Sequence, residues 1–149
     1  GHLSEERTFV EMFLDEARLA ARLSHPNVVQ TNRIGTFGGQ HFMVMEYLEG
    51  QPLSKLIRRL AKEERTLPPA LVARIMSDAL DGLHYAHEAR DFDGSPLHIV
   101  HRDISPSNVL LSNWGEVKLA DFGIAKAMNH PASVQSNALK GKVAYTQTE

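Results

Sequence analysis

Asp103, Asn108 and Asp121 are the residues of this chain whose types and spacing invite chemistry. Two carboxylates can divide acid and base duties, as in glycoside hydrolysis, although nothing else in the chain supports that pairing. His98 and His101 stand close before Asp103, and the three together offer a zinc-type donor set, although His101 reads better as a structural residue packed against Phe122. Gly35-Thr36-Phe37-Gly38-Gly39 suggests a phosphate cradle, but it lacks the G-x-G-x-x-G spacing and fits a hairpin turn better. His84 and His87 share a helical face and read as surface or packing residues. The plain alternative for both aspartates is a solvated surface position.

The elements that must position these groups follow from pattern. Thr8-Phe9-Val10-Glu11 reads as a capping box, and Phe9, Phe13, Ala17 and Ala20 continue an apolar stripe to about Ser24. His25 precedes Pro26 and is biased out of the helical region. Val28 to Thr36 and Gln40 to Tyr47 predict two strands joined at Gly38-Gly39. A turn at Gly50-Gln51-Pro52 leads into a helix from Leu53 to Glu64. Pro68-Pro69 opens a longer helix to about Ala89, with Leu71, Ile75, Ala79, Leu83 and Ala86 on one stripe. Asp91 to Pro96 is a surface loop by its Asp-Gly and Ser-Pro signals. Short strands at Val109–Ser112 and Glu116–Ala120 flank the turn Asn113-Trp114-Gly115, and Lys126 to Lys140 reads as a loop. Helices and strands do not alternate regularly, which argues against a doubly wound parallel sheet and for an α+β fold.

The chain has 149 residues, 42% hydrophobic and 23% charged, the composition of a globular domain. Sixteen Lys and Arg against 18 Asp and Glu give a net charge of −2, which argues against a general nucleic-acid binder. No apolar run is long enough to span a membrane. The absence of Cys excludes disulfide scaffolds, Cys zinc sites and thiol catalysis, and fits a cytoplasmic setting. The chain opens on Gly1 without a signal-peptide pattern and closes at Glu149, so we expect a piece of a longer protein.

His101-Arg102-Asp103-Ile104-Ser105-Pro106-Ser107-Asn108, followed by Asp121-Phe122-Gly123, resembles the catalytic loop and metal-binding triplet of the protein kinase family. Phe13 to Arg18 and Leu23 to Val29 look like helix C and the turn after it. Met45 to Gly50 looks like the gatekeeper and hinge, and Gly141 to Tyr145 like the end of the activation segment. The style is similar to bacterial serine/threonine kinases. The resemblance implies a truncated two-lobe kinase fold in one partial domain, residues 1–48 an N-lobe remnant with hinge and 49–149 the first part of the C-lobe.

It also implies roles. Asp103 accepts the proton of the substrate hydroxyl, and Asn108 and Asp121 offer oxygens to Mg²⁺, a hard cation. Glu16 holds a phosphate-contacting Lys. Backbone groups of Glu46 and Leu48 meet the adenine of ATP, with Met45 behind the ring and Leu110 beneath it. Arg102 implies control by an anion on the activation segment, where Ser133 and Ser136 are candidate phosphate acceptors. Kinases of this class usually carry Lys where this chain has Ser105 and Thr where it has Lys142, so an exchanged ammonium and hydroxyl beside Asp103 is expected. The partners implied are ATP and a protein substrate with Ser or Thr, with self-association of the parent for autophosphorylation. A small-molecule phosphotransferase shares the Asp, Asn and Asp logic, but Phe122-Gly123 and the activation segment favour a protein substrate.

The family's Gly-rich loop and strand Lys do not occur in the chain, and Thr146-Gln147-Thr148-Glu149 departs from the family's Pro-containing ending. The chain alone is therefore expected to be inactive, with a raw sheet edge and an uncovered long helix. The alternative is a pseudokinase-like scaffold module.

Overall fold

The computed structural model describes residues 14, 15 and 17–122. The capping box at Thr8, Glu16, Gly123, the stretch Lys126 to Lys140, Ser133, Ser136, Lys142 and Tyr145 lie outside them. Residues 14–15 and 17–20 are helical, and Ala17, Ala20 and Leu23 form one buried face. The helix gives way to a turn before Pro26, as the sequence requires.

Strands β1 (Thr31–Phe37) and β2 (Gln40–Met45) pair antiparallel. Gly38 and Gly39 both have positive φ, 57° and 79°, the two-residue turn whose twist matches the flanking strands. This hairpin forms a two-stranded sheet among the described residues, with Phe37, Phe42 and Val44 exposed. The predicted first strand begins at Val28, yet Val28 and Val29 do not join the hairpin. Val28 bridges in parallel to Leu119, and the Val29 N–H donates to the Leu119 carbonyl at 2.8 Å. Both valines are buried at this join, so their apolar character serves a different strand from the one adjacent in sequence.

A second correction concerns Gly50-Gln51-Pro52. The expected turn is a short strand, β3 (Gly50–Pro52), which pairs with β4 (Val109–Ser112). A Cβ at residue 50 would lie 2.0 Å from the Leu111 carbonyl oxygen, so the glycine that reads as a turn signal permits close strand approach instead. Strand β5 (Val117–Leu119) completes the antiparallel sheet β3-β4-β5.

Helix α1 (Leu53–Lys62) and helix α2 (Pro69–Glu88) follow β3. Pro69 sits at the first turn of α2, where a missing N–H costs nothing. Ile75, Ala79, Gly82 and Ala86 are its buried residues, and Leu83 is partly buried. Leu71, placed on the same stripe by sequence, is exposed, as are Val72, Met76 and Leu80. The core runs from Leu23 and Val28 through Ile75, Ala79 and Ala86 to Val117, Leu119 and Phe122. It therefore reaches to the residue after Asp121.

Candidate active site

Asp103 lies in the loop before β4, and Asp121 follows β5, so one tight hairpin carries both. His101 fastens the two ends together. Its ring is buried, with 1% exposure. The Ala120 carbonyl can only accept, so His101 Nε2–H donates to it at 2.8 Å. Nδ1 is then left to accept the Asp103 N–H at 3.4 Å. The ring also packs on Phe122, with centroids 4.5 Å apart and planes tilted by 52°. His101 is thus structural, and both of its nitrogens are committed.

Asn108 closes the loop from the other side. Its N–H donates to the Ser105 carbonyl at 3.0 Å, and its carbonyl accepts from the Ala120 N–H at 2.9 Å. Its side-chain Nδ2 donates to the Asp103 carbonyl at 2.9 Å and to Asp103 Oδ2 at 3.0 Å. That holds the Asp103 carboxylate in place and commits the amide nitrogen, so the amide oxygen is the end of Asn108 left for a cation. Arg102 and Asp121 both have positive φ, 67° and 60°. Such backbone is uncommon outside glycine, and here it brackets the two carboxylates.

Burial raises the Asp121 carboxyl above its ordinary value, the neighbouring Asp103 charge adds to the rise, and His101 opposes it. The Asp121 carboxylate, whose charge burial disfavours, and the Asn108 amide oxygen offer the oxygen donors that a hard divalent cation prefers. The donor set therefore fits Mg²⁺.

His101 is pushed the other way, chiefly by burial. The unfolded chain thus binds this proton more readily than the folded one. Its contribution to stability is present above the ordinary histidine value of 6.5 and is lost as pH falls below it. Protonation would also turn Nδ1 into a donor facing the Asp103 N–H. Denaturation midpoints are expected to drop across that window, and His101→Phe to flatten the drop.

Met45 lines a small cavity with Leu23, Val29, Thr31, Met43, Asp121 and Phe122, so the expected gatekeeper and the second carboxylate share one wall. Leu48 lines a groove of about 400 Å³ with Glu46, Tyr47, Glu49, Trp114 and Glu116. Leu110 lies half-buried in β4, opposite Pro52 and Lys118. The adenine contact expected of the Glu46 backbone falls to its carbonyl. Its N–H donates to the Gln30 carbonyl at 2.9 Å, which leaves only its carbonyl for a ligand.

The sequence reasoning missed Lys118. Its Nζ donates to Glu46 Oε1 and Oε2 at 2.8 and 3.0 Å, and the Gln30 N–H donates to Oε1 at 2.7 Å. Alternation along β5, with Val117 and Leu119 buried, does put Lys118 on the opposite face. Nothing in sequence tells that the face meets Glu46. Lys118→Met strands a carboxylate with only 27% exposure and is expected to cost about 1–3 kcal/mol in urea unfolding, with Lys118→Arg recovering most of it.

Comparison with known proteins identifies the fold and the family. Solved structures of the PknI kinase domain from Mycobacterium tuberculosis superpose with a TM-score of 0.65 at 32% identity, over 78% of this chain and 44% of that one. The fold is thus a partial protein kinase fold of mixed helix and sheet. Residues 2–149 match the protein kinase domain family, and the chain belongs to it. The tyrosine-protein kinase MasK of Myxococcus xanthus is 46% identical over 148 residues, 99% of this chain and 23% of its own length. The serine/threonine-protein kinase PrkC of Bacillus subtilis is 32% identical over 146 residues, 98% of this chain and 21% of its own. The chain spans less than a quarter of either relative. No helix among the described residues is long and apolar enough to cross a membrane.

Proposed function

We propose that this chain is the middle of a protein kinase catalytic domain that transfers a phosphoryl group from ATP to a protein hydroxyl. The observation that carries this reading is the Asn108 side chain holding the Asp103 carboxylate, with Asp121 at the far end of the same hairpin. Phosphoryl transfer depends on positioning and charge neutralisation more than on covalent help. Asp103 orients the acceptor hydroxyl and takes its proton. The Asn108 amide oxygen and the Asp121 carboxylate would hold Mg²⁺, and the ion would supply charge neutralisation for the phosphates. Met45, the Glu46 carbonyl, the Leu48 N–H and Leu110 form the nucleotide side. Residues 1–48 are read as the N-lobe remnant and hinge, and 49–149 as the start of the C-lobe.

Glu16, Arg102, Ser105 and Lys142 keep their expected roles within this proposal: Glu16 as partner of a strand lysine, Arg102 as anion receiver, and Ser105 with Lys142 as the exchanged pair. The chain itself contains no Gly-rich loop, so Gly1–Glu149 alone is expected to transfer no phosphate.

The acceptor we favour is Ser or Thr, following the name of PrkC. The name of MasK favours a second reading, a tyrosine acceptor. Phosphoamino-acid analysis of the autophosphorylated full-length protein separates the two. Phosphotyrosine alone overturns the first reading, and nucleotide binding without any phosphoryl transfer supports a scaffold instead.

A further inference from the structure

Helix α1 carries Lys55, Arg58, Arg59 and Lys62 and no acidic residue, in a chain whose net charge is −2. The spacings of three and four put Lys55, Arg58 and Lys62 on one helical face, and all three are exposed. The leucines take the other side: Leu53 is buried, and Leu56 packs against the core. Glu63 answers Arg59 and Arg65, each at 3.1 Å. Among the described residues no carboxylate pairs with Lys55, Arg58 or Lys62; Arg58 Nε donates to the Ser54 carbonyl of its own helix. Folding therefore makes no visible use of these three charges.

The helix is fixed relative to the site. The Ser54 N–H donates to the Pro106 carbonyl at 2.8 Å, and Pro106 lies in the loop between Asp103 and Asn108. Strand β3, which runs directly into α1, pairs with β4 beyond that loop. The N-terminal end of the helix that carries the basic face is thus tied to the loop that holds Asp103.

We propose that Lys55, Arg58 and Lys62 form a docking face for an acidic stretch of the protein substrate, near its acceptor residue. This rests on the kinase reading above. The seven steps from Lys55 to Lys62 span roughly 10 Å, the length of about three extended substrate residues. Charges of this exposure steer encounter and register, so they act on KM and leave kcat alone. Anionic membranes call for basic clusters of about four to eight residues, and nucleic acid for a basic excess that this chain lacks.

The test uses the full-length protein and two synthetic peptides with the same acceptor, one flanked by glutamates and one by alanines. The glutamate peptide is expected to have roughly tenfold higher kcat/KM through KM, a gap that about 0.5 M salt closes. The variant K55A/R58A/K62A is expected to bring the two peptides within about twofold of each other, with turnover of the alanine peptide unchanged. A charge-reversed variant, K55E/R58E/K62E, is expected to favour a lysine-flanked peptide. Equal kinetics in the unaltered protein, a preference that survives the triple variant, or a loss on both peptides alike overturns the proposal. So does binding to phosphatidylglycerol vesicles or DNA that the triple variant loses while no peptide preference exists. Fluorescence anisotropy of the labelled glutamate peptide reads docking without chemistry. Docking that persists without phosphorylation sinks the kinase reading alone.

Discussion

Asp103→Asn in the full-length protein is expected to lower phosphoryl transfer by roughly 10²–10⁴-fold, the range for losing a positioned general base. Asn keeps the shape and can still accept from Asn108 Nδ2 through its oxygen, so the loop should stay folded. What it loses is the negative charge and the proton-accepting oxygen. Nucleotide affinity should therefore stay within about twofold, because nothing on the nucleotide side, Met45 to Leu48, touches the change. Steady-state kinetics paired with ADP titration checks both halves. A kcat near that of the unaltered protein sinks the assignment of Asp103, and a collapse of ADP affinity shows that the variant acts through folding instead.

Asp121→Asn is expected to be as damaging to turnover by a different route. The raised proton affinity of Asp121, caused first by burial and then by Asp103, means that the folded state holds this proton more tightly than the unfolded chain. Stability linked to that proton is present at low pH and lost as pH rises through the folded value. At neutral pH the carboxylate is therefore a cost that a bound cation removes. The Asn variant should melt no lower than the unaltered protein without Mg²⁺, and should lose the Mg²⁺-dependent rise in melting temperature. In the unaltered protein Mg²⁺ affinity should increase with pH across this titration, and in the variant that slope should vanish. Retention of the Mg²⁺-dependent stabilisation by Asp121→Asn would remove Asp121 from the metal site, whatever its kinetics.

The candidate site could be picked out in sequence because its parts are local. His101 to Asn108 is one short loop and Asp121-Phe122 one short triplet, and their chemistry depends on residue type and order. The packing of His101 on Phe122 followed from the same motifs. The glycine pair at Gly38-Gly39 announced a hairpin because only its backbone supplies positive φ at both positions without strain. Both long helices were legible from apolar period and prolines, to within two residues at their ends.

Other features depended on partners distant in the chain. Val28 and Val29 have the composition of a strand, but composition carries no address, and they join Leu119. Gly50 punctuates a sequence equally well as a turn or as a place where another backbone comes close, and the Leu111 carbonyl decides for the second. Leu71 fits the apolar stripe of α2, but it belongs to the first turn of the helix, outside the packed core. The Lys118–Glu46 pair is the clearest case, since alternation gives Lys118 a face and only the packed sheets give it a partner. By itself the sequence determined the family, the helices and the hairpins, and it singled out Asp103, Asn108 and Asp121 as candidates, because residue type, period and local spacing suffice for these. Only the tertiary structure decided that His101 also reaches the Ala120 carbonyl, that the Glu46 N–H is taken by the Gln30 carbonyl, and that α1 is tied at Ser54 to Pro106. Each of these is a contact between segments far apart in the chain, and local sequence has no term for it.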